Sequence, residues 1–257
     1  MTDFHIHIGQ FNTVYYYADR VFYALKANGI DEVWFSSTTS CLYCKESQAA
    51  RNDKTIYKNA PTALALYEGV RDEIKNALIA AAEIEIKAHA LYWVVPEIHF
   101  SKSVSVNRVM CEIPYDGFKI HPRAQNWNLS YKKNFLLLKE IFSYAENYDK
   151  LVLIHSDENY PPTLFEELIV LYPNANVQFA HCRPLAETLY MLRTYPNTVC
   201  DTAMASEENI KKLKQAGLSA RIRYGSDFPI THYRSENPKT DPTCKELTDI
   251  LKRTKCF

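Results

Sequence analysis

The chain has 257 residues, 47% of them hydrophobic, with 30 basic and 30 acidic side chains and a formal net charge of zero. That length suits one large domain with its own core, and the balanced charge argues against nucleic acid or an anionic membrane surface as a partner. No apolar run approaches the ~18 residues of a membrane helix, and seven scattered cysteines in a chain that opens on a strand pattern set the expectation of a cytoplasmic, reducing environment.

The first element is "FHIHI" (4–8). Alternate side chains of a strand share a face, so His5 and His7 project together while Phe4, Ile6 and Ile8 project the other way. Two imidazoles on one face can reach one metal ion, although a lone pair of this kind is equally an accident of an edge strand. A helical pattern over 14–28 leads to a second strand, "EVWFSS" (32–37). Residues 38–60 show little apolar periodicity, and a connection of that length is usually functional. The segment is read as a lid or an oligomer contact. Its Cys41-x-x-Cys44 has no second CxxC to complete a tetrahedral site and is read as a chance pair of thiols.

After a helical pattern over 61–86 comes the strand "ALYWVV" (90–95). The next connection, "SVSVNRVMCEI", offers only a short helix. Five further strands follow: "GFKIH" (117–121), "LVLIH" (151–155), "VQFAH" (177–181), "TVCDT" (198–202) and "RIRYGSD" (221–227). Helical patterns cover 134–148, 162–172, 184–195, 207–216 and 242–252, several opening on proline and stopping near glycine or proline. Eight strands alternating with helices predict βαβ units and a parallel sheet. The expected architecture is α/β, a (β/α)8 TIM barrel forming a single domain over 1–257.

In such a barrel the carboxyl ends of all strands meet at one face. His155 and His181 close the fifth and sixth strands and Asp227 the eighth, so with His5 and His7 they converge: imidazoles and one carboxylate, the donor set of a metal site. Lys119 nears the end of the fourth strand. Arg183 follows His181, and together with Lys119 it could meet a substrate carboxylate; Glu158, on the loop after His155, is either a substrate contact or a rim charge. Trp127, Phe228, His232 and Arg234 lie on loops expected to shape a pocket, whereas His121 reads as a loop residue.

With "DFHIHIG", "GFKIHP", "VLIHSDE", "FAHCRP", "VCDTA" and "YGSDFP" in this order, the chain resembles the amidohydrolase superfamily of metal-dependent hydrolases. Within it, the chain looks like the amidohydrolase-related branch that includes aminocarboxymuconate-semialdehyde and resorcylate-type decarboxylases. The resemblance implies one divalent ion, zinc first and manganese second, held by His5, His7, His155 and Asp227. It further implies that His181 orients water or acts on the substrate, and that a second ion is bound if Lys119 is carboxylated. The implied chemistry is hydrolysis of a C–N or C–O bond in a small anionic substrate, with Asp227 as general base and then acid. Alternatives are a metal-dependent decarboxylase on the same site, a TatD-like nuclease with Glu97 as its early glutamate, and a barrel that binds without catalysing. The expected partner is a small molecule, and a homo-oligomer is allowed.

Overall fold

The short apolar runs become strands. A computed structural model describes residues 1–42, 63–102, 104–125 and 127–254; Cys44 and most of the long connection lie outside the described residues. The strands are β1 (Thr2–Phe11), β2 (Val14–Tyr16), β3 (Glu32–Ser37), β4 (Lys87–Trp93), β5 (Gly117–Ile120), β6 (Leu151–Ile154), β7 (Asn176–Phe179), β8 (Thr198–Asp201) and β9 (Ile222–Arg223). Pairing runs β1–β3–β4–β5–β6–β7–β8–β9, parallel throughout, and β2 folds back on β1 as an antiparallel arm. Beyond β9 the chain returns to β1: Phe4 N donates to Tyr224 O at 2.9 Å, His7 N donates to Phe228 O at 2.7 Å, and Ile6 bridges Phe228. The result is the expected (β/α)8 barrel.

Ten helices are described: α1 (Ala18–Ala27), α2 (Ala63–Glu83), α3 (Pro96–Lys102), α4 (Val106–Glu112), α5 (Lys132–Asn147), α6 (Glu166–Leu171), α7 (Leu185–Thr194), α8 (Glu207–Gln215), α9 (Ile230–Glu236) and α10 (Cys244–Thr254). Their ends follow local chemistry. Ser206 caps α8 by accepting from Asn209 N, with Glu207 and Glu208 in the first turn and Lys212 and Lys214 in the last, each sign complementing the helix dipole. Two expectations are corrected. The helix does not begin at Val14: Asn12, at φ 53°, turns the chain into β2, and α1 starts at Ala18. The stretch after Pro229 is not loop but α9. Among the described residues no helix is long and apolar enough to cross a membrane.

The main core lies between sheet and helices, where Ile6, Ile8, Phe35, Phe118, Ile154 and Phe179 meet the helix faces. A separate small cluster, Leu91, Leu151, Leu153 and Ala180 with Trp34, fills the barrel interior. Phe4 departs from the expected alternation. A register shift between Asp3 and Ile6 breaks the pleat, and Phe4 stacks on Trp34 at 6.1 Å and lies under Arg223.

On the far side of Trp34, His89 stacks at 4.3 Å and bridges two carboxylates, Glu32 at 3.0 Å and Asp116 at 3.1 Å. The hydrogen bond to Asp116 raises its pKa above the ordinary value in spite of burial. A raised folded-state pKa contributes stability that is present below the unfolded value, about 6.5, and lost as pH rises through the folded one. The stability gap between wild type and His89→Gln, read from urea midpoints, is therefore expected to be widest at pH 6 and to shrink by pH 9. A gap that does not change with pH would rule out this bridge as a charged one.

Candidate active site

At the carboxyl ends of the strands a cavity of about 460 Å³ opens. β1 supplies His5 and His7, and the residues following β9 supply Asp227, whose backbone at φ 54° turns its side chain inward. His7 Nε2 lies 3.0 Å and His5 Nε2 3.6 Å from Asp227 Oδ1. The outer nitrogens are already committed: His5 Nδ1 to Asp201 at 3.1 Å and His7 Nδ1 to Ser36 Oγ at 3.0 Å. Asp201 can only accept, so it fixes the His5 tautomer with the Nε2 lone pair facing inward, whereas Ser36 Oγ donates or accepts and leaves His7 Nε2 able to carry a proton toward Asp227 or to present its lone pair to an ion.

These three residues fit a divalent ion. Donor atoms each ~2.1 Å from a shared tetrahedral centre are roughly 3.4 Å apart, and the observed 3.0 and 3.6 Å bracket that value. His5, His7 and Asp227 form one group able to hold a metal; His5, His181 and Asp201 form another. Gly225 permits the approach, since a Cβ there would stand 2.9 Å from His5 Cβ and 3.2 Å from Asp201 Cβ.

His155 lies one step outward. Its Nδ1 is 2.9 Å from His181 Nε2 and its Nε2 3.1 Å from Asp157 Oδ2, which also accepts from Arg123 Nε at 3.0 Å. His181 Nδ1 donates to Ala203 O at 2.7 Å, a carbonyl that can only accept, so the neutral ring carries its lone pair on Nε2. Burial pulls His5, His7, His121 and His155 below the ordinary histidine range and His181 to about 4, so all five are neutral near pH 7. Burial alone would raise Asp227, but the contact with His7 and the imidazoles of His5 and His181 win, holding it well below the usual carboxylate range. Lys119 is buried, donates to His5 Nε2 at 2.7 Å, and is lowered by burial to about 8.

Arg183, Arg234 and Glu158 line the cavity, as do His121 and Trp93. Neither Arg183 nor Arg234 has an ion-pair partner among the described residues, and Arg183 Nε is buried without a hydrogen bond. Trp127 and Phe228, expected at the pocket, are core residues, and buried His232 meets Tyr16 Oη at 3.0 Å. Glu97 sits at the start of α3, away from the cavity lining. Sequence reasoning missed Asp201, Ser36 and Asp157, and passed over His121, which is sandwiched between His155 at 3.9 Å and Trp93 at 5.4 Å.

A family model for amidohydrolases matches residues 108–251, more than half of the chain. The chain belongs to the amidohydrolase family. No curated protein matches this amidohydrolase. Solved structures share its fold. A Staphylococcus aureus protein provisionally assigned as an amidohydrolase aligns with TM-score 0.57 at 15% identity, covering 100% of this chain and 94% of that one. A 5-carboxyvanillate decarboxylase from Novosphingobium aromaticivorans, complexed with manganese, aligns with TM-score 0.52 at 14% identity over 88% of this chain and 75% of its own. A TatD-family hydrolase from Entamoeba histolytica reaches TM-score 0.55 at 11% identity over 88% and 74%.

Proposed function

We propose that this amidohydrolase is a metal-dependent hydrolase that cleaves a C–N or C–O bond of a small anionic substrate in the cytoplasm, using one divalent ion, zinc or manganese. The observation that carries the reading is the convergence of His5 Nε2, His7 Nε2 and Asp227 Oδ1, each imidazole fixed from behind by Asp201 or Ser36. Those three would hold the ion, and His155, whose Nε2 faces Asp157 at 3.1 Å, would be the fourth protein ligand with its ring turned inward. When bound, such an ion acidifies water and polarises a carbonyl oxygen.

The remaining work falls to the chain. Asp227, ionised at neutral pH, takes a proton from water at its free oxygen and returns it to the leaving group. His181 Nε2, hydrogen-free, accepts from His155 Nδ1 at 2.9 Å, and with His155 turned to the ion that lone pair would be open to accept an O–H of the water. Lys119, Arg183 and Arg234 supply positive charge around the cavity, and the two arginines, without an ion-pair partner among the described residues, are suited to a carboxylate.

The same cationic lining favours a second reading, decarboxylation of a small carboxylate on the same site, which release of CO2 from candidate acids would distinguish from hydrolysis of amides, lactones and phosphoesters. A nuclease is disfavoured by the neutral chain. Elemental analysis of purified protein tests the reading: about one zinc or manganese per chain is expected, and none after reconstitution would overturn it in favour of a binding barrel. Two ions per chain would assign Lys119 as a carboxylated bridge, and one leaves it as an ammonium.

A further inference from the structure

The register shift in β1 leaves the His5 amide without a strand partner: β1 pairs with β3 at Thr2 and Asp3 and again only from Ile6 onward. Across the barrel's closing edge the hydrogen bonds skip a residue. Phe4 N donates to Tyr224 O and Asp227 N to His5 O, so that the Ser226 amide between them also has no backbone acceptor there. One atom serves both. Asp3 Oδ1 accepts from His5 N at 3.1 Å and from Ser226 N at 3.1 Å. Asp3 is fully buried, and its Oδ2 has no hydrogen-bond partner among the described residues.

A fully buried carboxyl group with one oxygen unpartnered is a cost in stability, so an acidic side chain at this place is poorly explained as a stabiliser alone. What its other oxygen does is geometric. It ties the His5 amide to the Ser226 amide, one residue before Asp227, and so braces the Asp227 N to His5 O bond at 2.9 Å in setting the 3.6 Å between His5 Nε2 and Asp227 Oδ1. We propose that Asp3 is a positioning residue for the metal cluster: it touches neither ion nor substrate and acts by holding His5 and Asp227 at coordinating distance. The inference rests on the reading of His5, His7 and Asp227 as metal ligands.

The test is zinc affinity by chelator competition, together with the visible spectrum of cobalt(II)-loaded protein, for wild type, Asp3→Asn, Asp3→Ala and the distant core variant Ile141→Ala. Asp3→Ala is expected to lose about 10- to 100-fold in zinc affinity, the usual size of an outer-partner effect, and to shift the cobalt bands. Asp3→Asn keeps a carbonyl oxygen in reach of both amides and is expected to stay within about three-fold of wild type, since the hydrogen-bond acceptor survives. Ile141→Ala lowers the melting temperature without touching the cluster and is expected to keep wild-type affinity. If Asp3→Ala does not accumulate folded, Asp3→Ser, whose hydroxyl stops a bond short of the amides, carries the same expectation. Unchanged affinity and spectrum in Asp3→Ala or Asp3→Ser, or an equal affinity loss in Ile141→Ala, would overturn the proposal. Absence of zinc and cobalt binding by wild type would instead overturn the metal reading on which it stands.

Discussion

Asp227→Asn is expected to lower kcat by about three orders of magnitude or more, the scale of losing a general base that also neutralises an ion. The melting temperature of the apoprotein should stay close to wild type. Two features separate these outcomes. Asn keeps an oxygen to accept from His7 Nε2, 3.0 Å away in the wild type, and Asn is among the few residues at ease with the backbone conformation here, φ 54°. The fold therefore loses little, whereas the amide cannot take a proton from water. The comparison belongs on whichever amide, lactone or carboxylate substrate the wild type turns over, with metal content measured in both proteins. Near-wild-type turnover with matched metal would remove Asp227 from the proton-transfer role.

Gly117→Ala is expected to cost the barrel wall much of its stability by overpacking. A Cβ at Gly117 would lie 2.2 Å from Leu151 O and 2.9 Å from a Leu91 methyl. The first of these atoms is backbone, held in the β5–β6 ladder by the pairing of Gly117 with Leu151. Neither strand can yield without disturbing Lys119 and Leu153, the next pair on the same face. A cost of about 3 kcal/mol or more follows from overpacking, which for a chain of this size lowers Tm by roughly 6–12 °C. Gly69 is the natural control. It lies within α2 with nothing within 4 Å of an added Cβ, so Gly69→Ala should raise stability by about 0.5–1 kcal/mol. Calorimetry on both variants checks the opposed signs; a neutral Gly117→Ala would mean that the β5–β6 contact is softer than its geometry.

Much of the barrel was legible because each parallel strand is buried on both sides and so reads as a short apolar run, as "LVLI" and "GFKI" do. The strand-end histidines and Asp227 were legible for a topological reason: a parallel barrel brings every carboxyl end to one face. What stayed hidden lacks spacing. Asp201, Ser36 and Asp157 act on the histidines from other strands and loops, and hydrogen-bond partners of this kind follow no sequence interval; only the position of Asp201 at the end of β8 gave a signal. His121 was passed over because a residue just past a strand has no fixed direction until the loop is built. The β2 arm was missed because "VYYY" fits helix and strand alike, and the deciding residue is Asn12 in its left-handed turn.

The seam between β1 and the chain after β9 also orders events in time. Asp3 and Ser226 are 223 residues apart in sequence, so the contacts that unite His5 and His7 with Asp227 are among the most distant the chain can make. Closing so long a loop carries a large entropy cost before any contact repays it, which places this step late in folding. A chain halted before its last strand can hold the imidazoles but not the carboxylate. Metal affinity should therefore arise in a single late phase of refolding, making ion capture a reporter of barrel closure itself.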